Sequence, residues 1–221
     1  MSGLAFETFR GPQGDEWLMR AGRAQAPAIL IVPPLFEEMN RTRALIAGVM
    51  RRLAKRGQGC WLLDLGGTGE SERDLAGVSW DDWRHDVTSA AAHIAEQARP
   101  PLIASFRGGA LVDDGAKARG WWRFAPVDGA ALARDMVRSG LAGGVEWAGY
   151  APSDALKAAL EASKPAPAAP LRTVRLATDR AEADAKLDGP ALWRRSEPGT
   201  SADLADAIAV DLYRWSRECV G

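Results

Sequence analysis

Hydrophobic and polar positions alternate here between two rhythms. Ala28 to Val32 (Ala-Ile-Leu-Ile-Val) is an unbroken apolar run, as expected of a strand covered on both faces. Cys60 to Leu65, the stretch from Leu102, Trp121 to Val127 and Leu171 to Ala177 read the same way, with a last short strand expected at Ala191 to Arg195. Between them the period lengthens. Arg41 to Arg56 places Leu45, Ile46, Val49, Met50 and Leu53 at helical spacing and is closed by Gly57. Trp80 to about Gln97 follows a capping Ser79 and carries Asp81 and Asp82 in its first turn. Ala130 to Ser139, Ser153 to Ala162 and about Ser201 to Arg217 complete the predicted helices, the last burying Leu204, Ile208, Leu212 and Trp215. Leu4 to Arg10 and Glu16 to Arg20, joined through Gly-Pro-Gln-Gly, predict an opening hairpin. Strands alternating with helices imply a mostly parallel sheet covered on both faces.

At 221 residues, residues 1–221 are expected to form a single α/β domain with a substantial core. The net charge of -1 gives no electrostatic reason to expect nucleic acid or an anionic membrane surface as partner. No apolar stretch approaches the roughly 20 residues of a membrane span. Met1 to Gly14 has no secretory-signal pattern. The two cysteines, Cys60 and Cys219, form neither a disulfide framework nor a metal-ligand spacing. A cytoplasmic protein without metal or cofactor is the expectation.

The chemistry turns on Leu102 to Leu111, which reads as a strand, a sharp turn and the start of a helix. A nucleophile elbow has this form, with small residues flanking the tip by two positions. Ser105 and Gly109 fill the small positions and put Arg107 at the tip. A guanidinium stays protonated and has no lone pair with which to attack a carbonyl. A triad in hydrolase chain order also needs a histidine after the last strand. The only histidines, His85 and His93, both precede the elbow. The acid position falls at Asp179, which suits a turn cap as well as chemistry. Ser105 is expected to pack, and Cys60 to lie in the core without a basic neighbour. Asp64 to Ser71 is glycine-rich but lacks the lysine and spacing of a phosphate loop.

Three stretches together resemble the α/β hydrolases: Pro33-Pro34 after the third strand, Asp64 to Ser71 (D-x-x-G-x-G-x-S) after the fourth, and the elbow after the fifth. Within that fold the chain resembles the exosortase A system-associated hydrolases of type 2. The matching residues are Pro33 to Asn40 with Arg43, Asp64 to Ser71, Trp80-x-x-Trp83-x-x-Asp86 and Ser105 to Ala110. Pro126 to Gly129 with Leu132, Ala148-Gly149-Tyr150 and Trp193-x-x-x-Glu197 follow in order. The resemblance implies an α/β-hydrolase fold with minimal or no lid, and a role beside bacterial exopolysaccharide machinery. It also implies that arginine at this elbow is usual in the group.

Arg107 invites two uses. At the start of an elbow helix it would suit a carboxylate or phosphate, so that the site binds a small anionic ligand or a partner of the exosortase machinery. Alternatively Glu37 or Glu38, on the loop after the third strand, pairs with it internally. Asn40 is expected to cap the following helix. Because Pro33 and Pro34 have no N–H, an oxyanion-hole donor would have to be Leu35 or Phe36. Three functions stay open: a pseudo-hydrolase binding through Arg107, Glu37, Glu38, Asn40 and Ser105; a true hydrolase or acyl-handling enzyme using Asp179, Glu37 or Glu38; and a structural accessory protein with a closed pocket.

Overall fold

A computed structural model describes residues 3–24, 28–97, 99–138, 142–143, 146–147 and 149–219. The opening hairpin is β1 (Leu4–Gly11) and β2 (Gly14–Ala21), paired antiparallel. The parallel strands are β3 (Ala28–Val32), β4 (Gly59–Leu63), β5 (Leu102–Phe106), β6 (Trp121–Phe124), β9 (Leu171–Leu176) and β10 (Ala185–Leu187). With a two-stranded ribbon, β7 (Ala142–Gly143) and β8 (Glu146–Trp147), standing apart, the main sheet runs β1-β2-β4-β3-β5-β6-β9-β10. The order reverses between β3 and β5, so the ends of these two strands face each other across the point where ligands gather in α/β sheets.

Helices cover both faces, as the alternation predicts. On one side α1 (Glu37–Lys55) and α5 (Ala202–Glu218) seal Ile29, Ile31, Leu62, Ala104 and Phe124. On the other α2 (Trp80–Gln97), α3 (Gly129–Arg138) and α4 (Asp154–Ala162) pack over Leu30, Val32, Trp61, Leu63 and Ile103. Adjacent residues of β3 feed opposite cores, which is why that strand is apolar throughout. Helix α2 starts at a reciprocal cap: Ser79 Oγ accepts from the Asp82 N–H at 3.1 Å, and Asp82 accepts from the Ser79 N–H at 2.9 Å. Gly57, at φ 82°, ends α1 in the left-handed conformation that glycine reaches without strain. Among the described residues no helix is long and apolar enough to cross a membrane.

Four expectations are corrected. Helix α1 begins at Glu37, before Arg41, so Asn40 lies inside it and Phe36 takes the N-cap position at φ 54°. Two glutamates in the first turn favour that early start. The strand expected to Val127 stops at Phe124, because Ala125 turns to φ 47° ahead of Pro126. The strand expected at Ala191 to Arg195 is a 3-10 turn, Leu192–Arg194. Pro190 precedes it, and the consecutive Leu192 and Trp193 are both buried, which a pleated edge strand does not allow. Finally, a five-residue 3-10 turn, Arg107–Leu111, stands where the elbow helix was expected. Gly108 and Gly109 propagate a helix poorly, and the β-branched Val112 and turn-forming Asp113-Asp114-Gly115 end it. Two expectations reach past the described residues: Ser139, the last residue of the helix expected from Ala130, and Ala148 lie outside them.

Candidate functional site

Arg107 follows directly from β5 and holds φ 50°, a left-handed backbone that a bulky residue adopts only under constraint. Its side chain supplies the constraint. Nε donates to Glu38 Oε2 at 3.1 Å and Nη2 to Glu38 Oε1 at 2.9 Å, a two-point fork. Nη1 donates to the Ala125 carbonyl at 3.2 Å, and the guanidinium carbon lies 4.6 Å from the centre of the Trp193 ring. Asp135 on α3 approaches to 4.0 Å. Both members of the fork are below one-tenth exposed. Burial pushes the Glu38 carboxyl above its ordinary value, against the pull of Arg107 and Arg41 and with Asp135 adding to the push.

Helix phase decides between the two glutamates. With α1 starting at Glu37, Glu38 turns inward beneath the elbow while Glu37 turns to the rim. There Glu37 accepts from Asn40 Nδ2 at 2.8 Å and lies 3.6 Å from Arg41 Nε. Asn40 also donates to the Tyr150 hydroxyl at 3.1 Å, bridging side chains rather than capping the helix. The short turn after Arg107 is too brief to supply the helix dipole that an anion at Arg107 was expected to use.

Ser105, wholly buried, donates to Asp113 Oδ2 at 2.7 Å. Asp113 takes a second fork from Arg123 on β6, at 2.9 Å and 2.6 Å. Burial raises the Asp113 carboxyl against the pull of Arg123 and Ser105. Asp179 follows β9 and accepts from the Ala181 N–H at 3.0 Å and Arg175 at 2.9 Å. Partial desolvation is outweighed by these two donors, and its carboxyl sits below the ordinary range. His93 lies on α2 against Glu7 of the opening hairpin, and His85 is exposed on the same helix. Burial pushes the Cys60 thiol up, which suppresses its thiolate. The Asp64 to Ser71 turn is held from within. Arg43 forks onto Asp64, the Glu70 N–H reaches Asp64, and the Gly67 N–H reaches the Ser71 hydroxyl.

The space above the turn is filled. A Cβ built on Gly108 would lie 2.8 Å from Leu132 Cδ2 and 3.1 Å from Leu35 Cγ, both buried side chains. Phe36, the other candidate oxyanion donor, is buried with its ring edge-on to Trp83, Trp147 and Tyr150. Open space begins beside the fork instead, in a cavity of about 420 Å³ lined by Glu37, Glu38, Arg41, Asp135, Trp193 and Arg194, among others. Arg41 and Asp135 carried no individual signal in the sequence, and Trp193 entered it only through the family motif. The contact of Arg41 Nη1 with the Trp193 carbonyl, at 3.1 Å, joins positions 152 residues apart. Among the described residues no group of three or more His, Cys, Asp or Glu is placed to hold a metal ion.

No family model and no curated protein sequence matches the chain. Solved structures do. The esterase domain of a Rhodothermus marinus protein aligns over 99% of this chain and 100% of its own, at 15% identity and a TM-score of 0.62. A Streptococcus mutans protein aligns over 99% of both chains, at 12% identity and 0.59. A Xanthomonas campestris protein, described as an α/β serine hydrolase without a lid, aligns over 97% and 96%, at 16% and 0.56. The chain spans 40% of the length of an epoxide hydrolase from Vigna radiata, at 13% identity over 55% of this chain and a TM-score of 0.46. Likeness at this level of identity defines the fold, which is that of the α/β hydrolases without a lid.

Proposed function

We propose that the protein is a non-catalytic member of the α/β-hydrolase fold that binds a ligand or partner at the carboxyl end of its sheet. The observation that carries this reading is Arg107 itself. The elbow tip holds a group unable to attack, at φ 50°, locked by a two-point fork to a buried carboxylate. Two further features support it: no histidine follows β9, and Leu35 and Leu132 fill the space over Gly108. The resemblance to the exosortase A system-associated hydrolases supports a cytoplasmic role in bacterial envelope or exopolysaccharide biogenesis. A protein of that machinery or a small anionic ligand would then be the bound species.

Hydrolysis of short-chain nitrophenyl esters tests the reading. The protein is expected to give no turnover above buffer, and Asp179→Asn and Glu37→Gln are expected to change nothing. Protein-dependent turnover that either substitution abolishes would overturn it in favour of a catalyst built on non-standard carboxylates.

A further inference from the structure

The guanidinium at the elbow has its acceptors, but two donors beside it have none. Trp193 Nε1 is shielded and makes no hydrogen bond, and the equally shielded Arg41 Nε has only the Glu37 carboxylate, 3.6 Å away and beyond hydrogen-bond reach. Their residues are 4% and 7% exposed, and both line the 420 Å³ cavity. Buried donors are nearly always matched, so two orphans in one wall point to an acceptor supplied from outside the chain. They are neighbours: Arg41 Nη1 donates to the carbonyl of Trp193 itself. One comes from α1 and the other from the 3-10 turn before α5, so an acceptor between them would bridge two elements.

The charges around the cavity leave the same vacancy. Glu38 is taken by Arg107, Glu37 by Asn40 with Arg41 at 3.6 Å, and Asp135 by Arg138 at 2.7 Å. Among the described residues the guanidinium groups of Arg41, Arg107, Arg138 and Arg194 thus meet the carboxylates of Glu37, Glu38 and Asp135, a surplus of one positive charge. Arg194, exposed at the mouth, has no ion pair among the described residues. The volume lies within the usual range of small-molecule sites, roughly 300–1,000 Å³.

We propose that this cavity binds a small organic oxyanion, a carboxylate or a phosphate monoester, whose oxygens accept from Arg41, Trp193 Nε1 and Arg194. The inference rests on reading the elbow region as a binding site, and it moves the anion from Arg107 to Arg41. Arg107 then acts as a positioning residue, holding Trp193 by its stacked guanidinium.

Phenyl phosphate and benzoate are the probes, with inorganic phosphate to distinguish a bare ion from an organic one and benzyl alcohol as the neutral control. The indole N–H resonance of Trp193, identified by its loss in Trp193→Phe, reports occupancy, and calorimetry gives affinity. At least one organic anion is expected to saturate by about 10 mM, since even a 1 mM site needs only modest binding energy. The Trp193 resonance should move as an acceptor arrives. Arg194→Gln and Trp193→Phe should each weaken binding about tenfold, the usual loss when one hydrogen bond to a charged group is removed. Trp193→Phe keeps an aromatic ring under Arg107 but removes buried indole atoms beside Phe124, so a fall of a few degrees in melting temperature is expected and binding is compared well below it. Phenyl phosphate binding over benzoate would assign a phosphate ester, and the reverse a carboxylate. No saturation by either organic anion, equal binding of benzyl alcohol, inorganic phosphate binding as tightly as both organic anions, or affinities unchanged in both variants would each overturn the inference. Ester turnover would instead strike the non-catalytic reading, so the two failures are separable.

Discussion

Removing either half of the fork at the elbow should unbalance the protein, and the two halves should not be equivalent. Glu38→Ala leaves Arg107 buried with Nε and Nη2 short of their hydrogen bonds, retaining the Nη1 bond to the Ala125 carbonyl, the Trp193 ring and a distant Asp135 at 4.0 Å. A guanidinium cannot discharge itself by losing a proton. Breaking a buried pair from one side costs about 3–5 kcal/mol. For a domain of this length that corresponds to a fall in melting temperature of roughly 10 °C. Arg107→Ala leaves a carboxyl that burial already pushes upward, and this group can neutralise itself by taking a proton. Without Arg107 its folded pKa rises further above the unfolded value. The stabilising contribution of the protonated form is then complete below the unfolded pKa and lost as pH rises through the folded one. Arg107→Ala should therefore come closest to the unsubstituted protein in acid and fall away towards neutrality, whereas Glu38→Ala gains no such relief. The double variant should cost less than the sum of the two by about 2 kcal/mol or more. Urea unfolding across this pH range measures all three. Single variants costing under about 1 kcal/mol each, or a double variant equal to their sum, would refute the claim that this pair fastens the elbow.

Asp86, buried on α2 near Glu16, has its carboxyl pushed by burial to about 6, against the pull of the Gly66 N–H and with Glu16 adding to the push. Its contribution is complete below the unfolded pKa near 4 and lost as pH rises through about 6. Asp86→Asn keeps an acceptor for Gly66 and cannot ionise, so at about pH 8 it should be roughly 2 kcal/mol more stable than the unsubstituted protein and near parity at about pH 4. Denaturant midpoints at the two pH values check this, and an unsubstituted protein that gains on the variant as pH rises would contradict it. At the elbow, Gly109→Ala would set a Cβ 2.7 Å from the Val32 carbonyl oxygen and closer still to that of Pro33. Two unyielding backbone atoms should make it destabilising by about 3 kcal/mol, and a melting temperature within error of the parent would count against this packing.

The layered architecture was legible because each parallel strand must be apolar on both faces, and Ala-Ile-Leu-Ile-Val at residues 28–32 says so in five letters. The elbow tip was legible because small residues at Ser105 and Gly109 are a local steric requirement. Glu37 against Glu38 was not, because the choice depends on helix phase, and α1 begins four residues before the start at Arg41 that its apolar spacing suggests. The elbow helix failed for the opposite reason: a familiar spacing suggested continuation where Gly108, Gly109 and Val112 oppose it locally. The Arg41–Trp193 contact and the Asp113–Arg123 fork lay beyond reach, since charges that meet only through the fold leave no periodic trace.

Arg107 is gripped by α1, by the bend at Ala125 and by the turn before α5, three segments widely separated in the chain. A single codon change placing a serine there would not by itself create a nucleophile's surroundings. It would strand Glu38 and release Trp193, both before any base or oxyanion donor had arrived. That first step would be less stable than its starting point, so selection for folding alone opposes it. The elbow thus resists that substitution: an arginine held by three distant segments is kept in place by the fold it fastens.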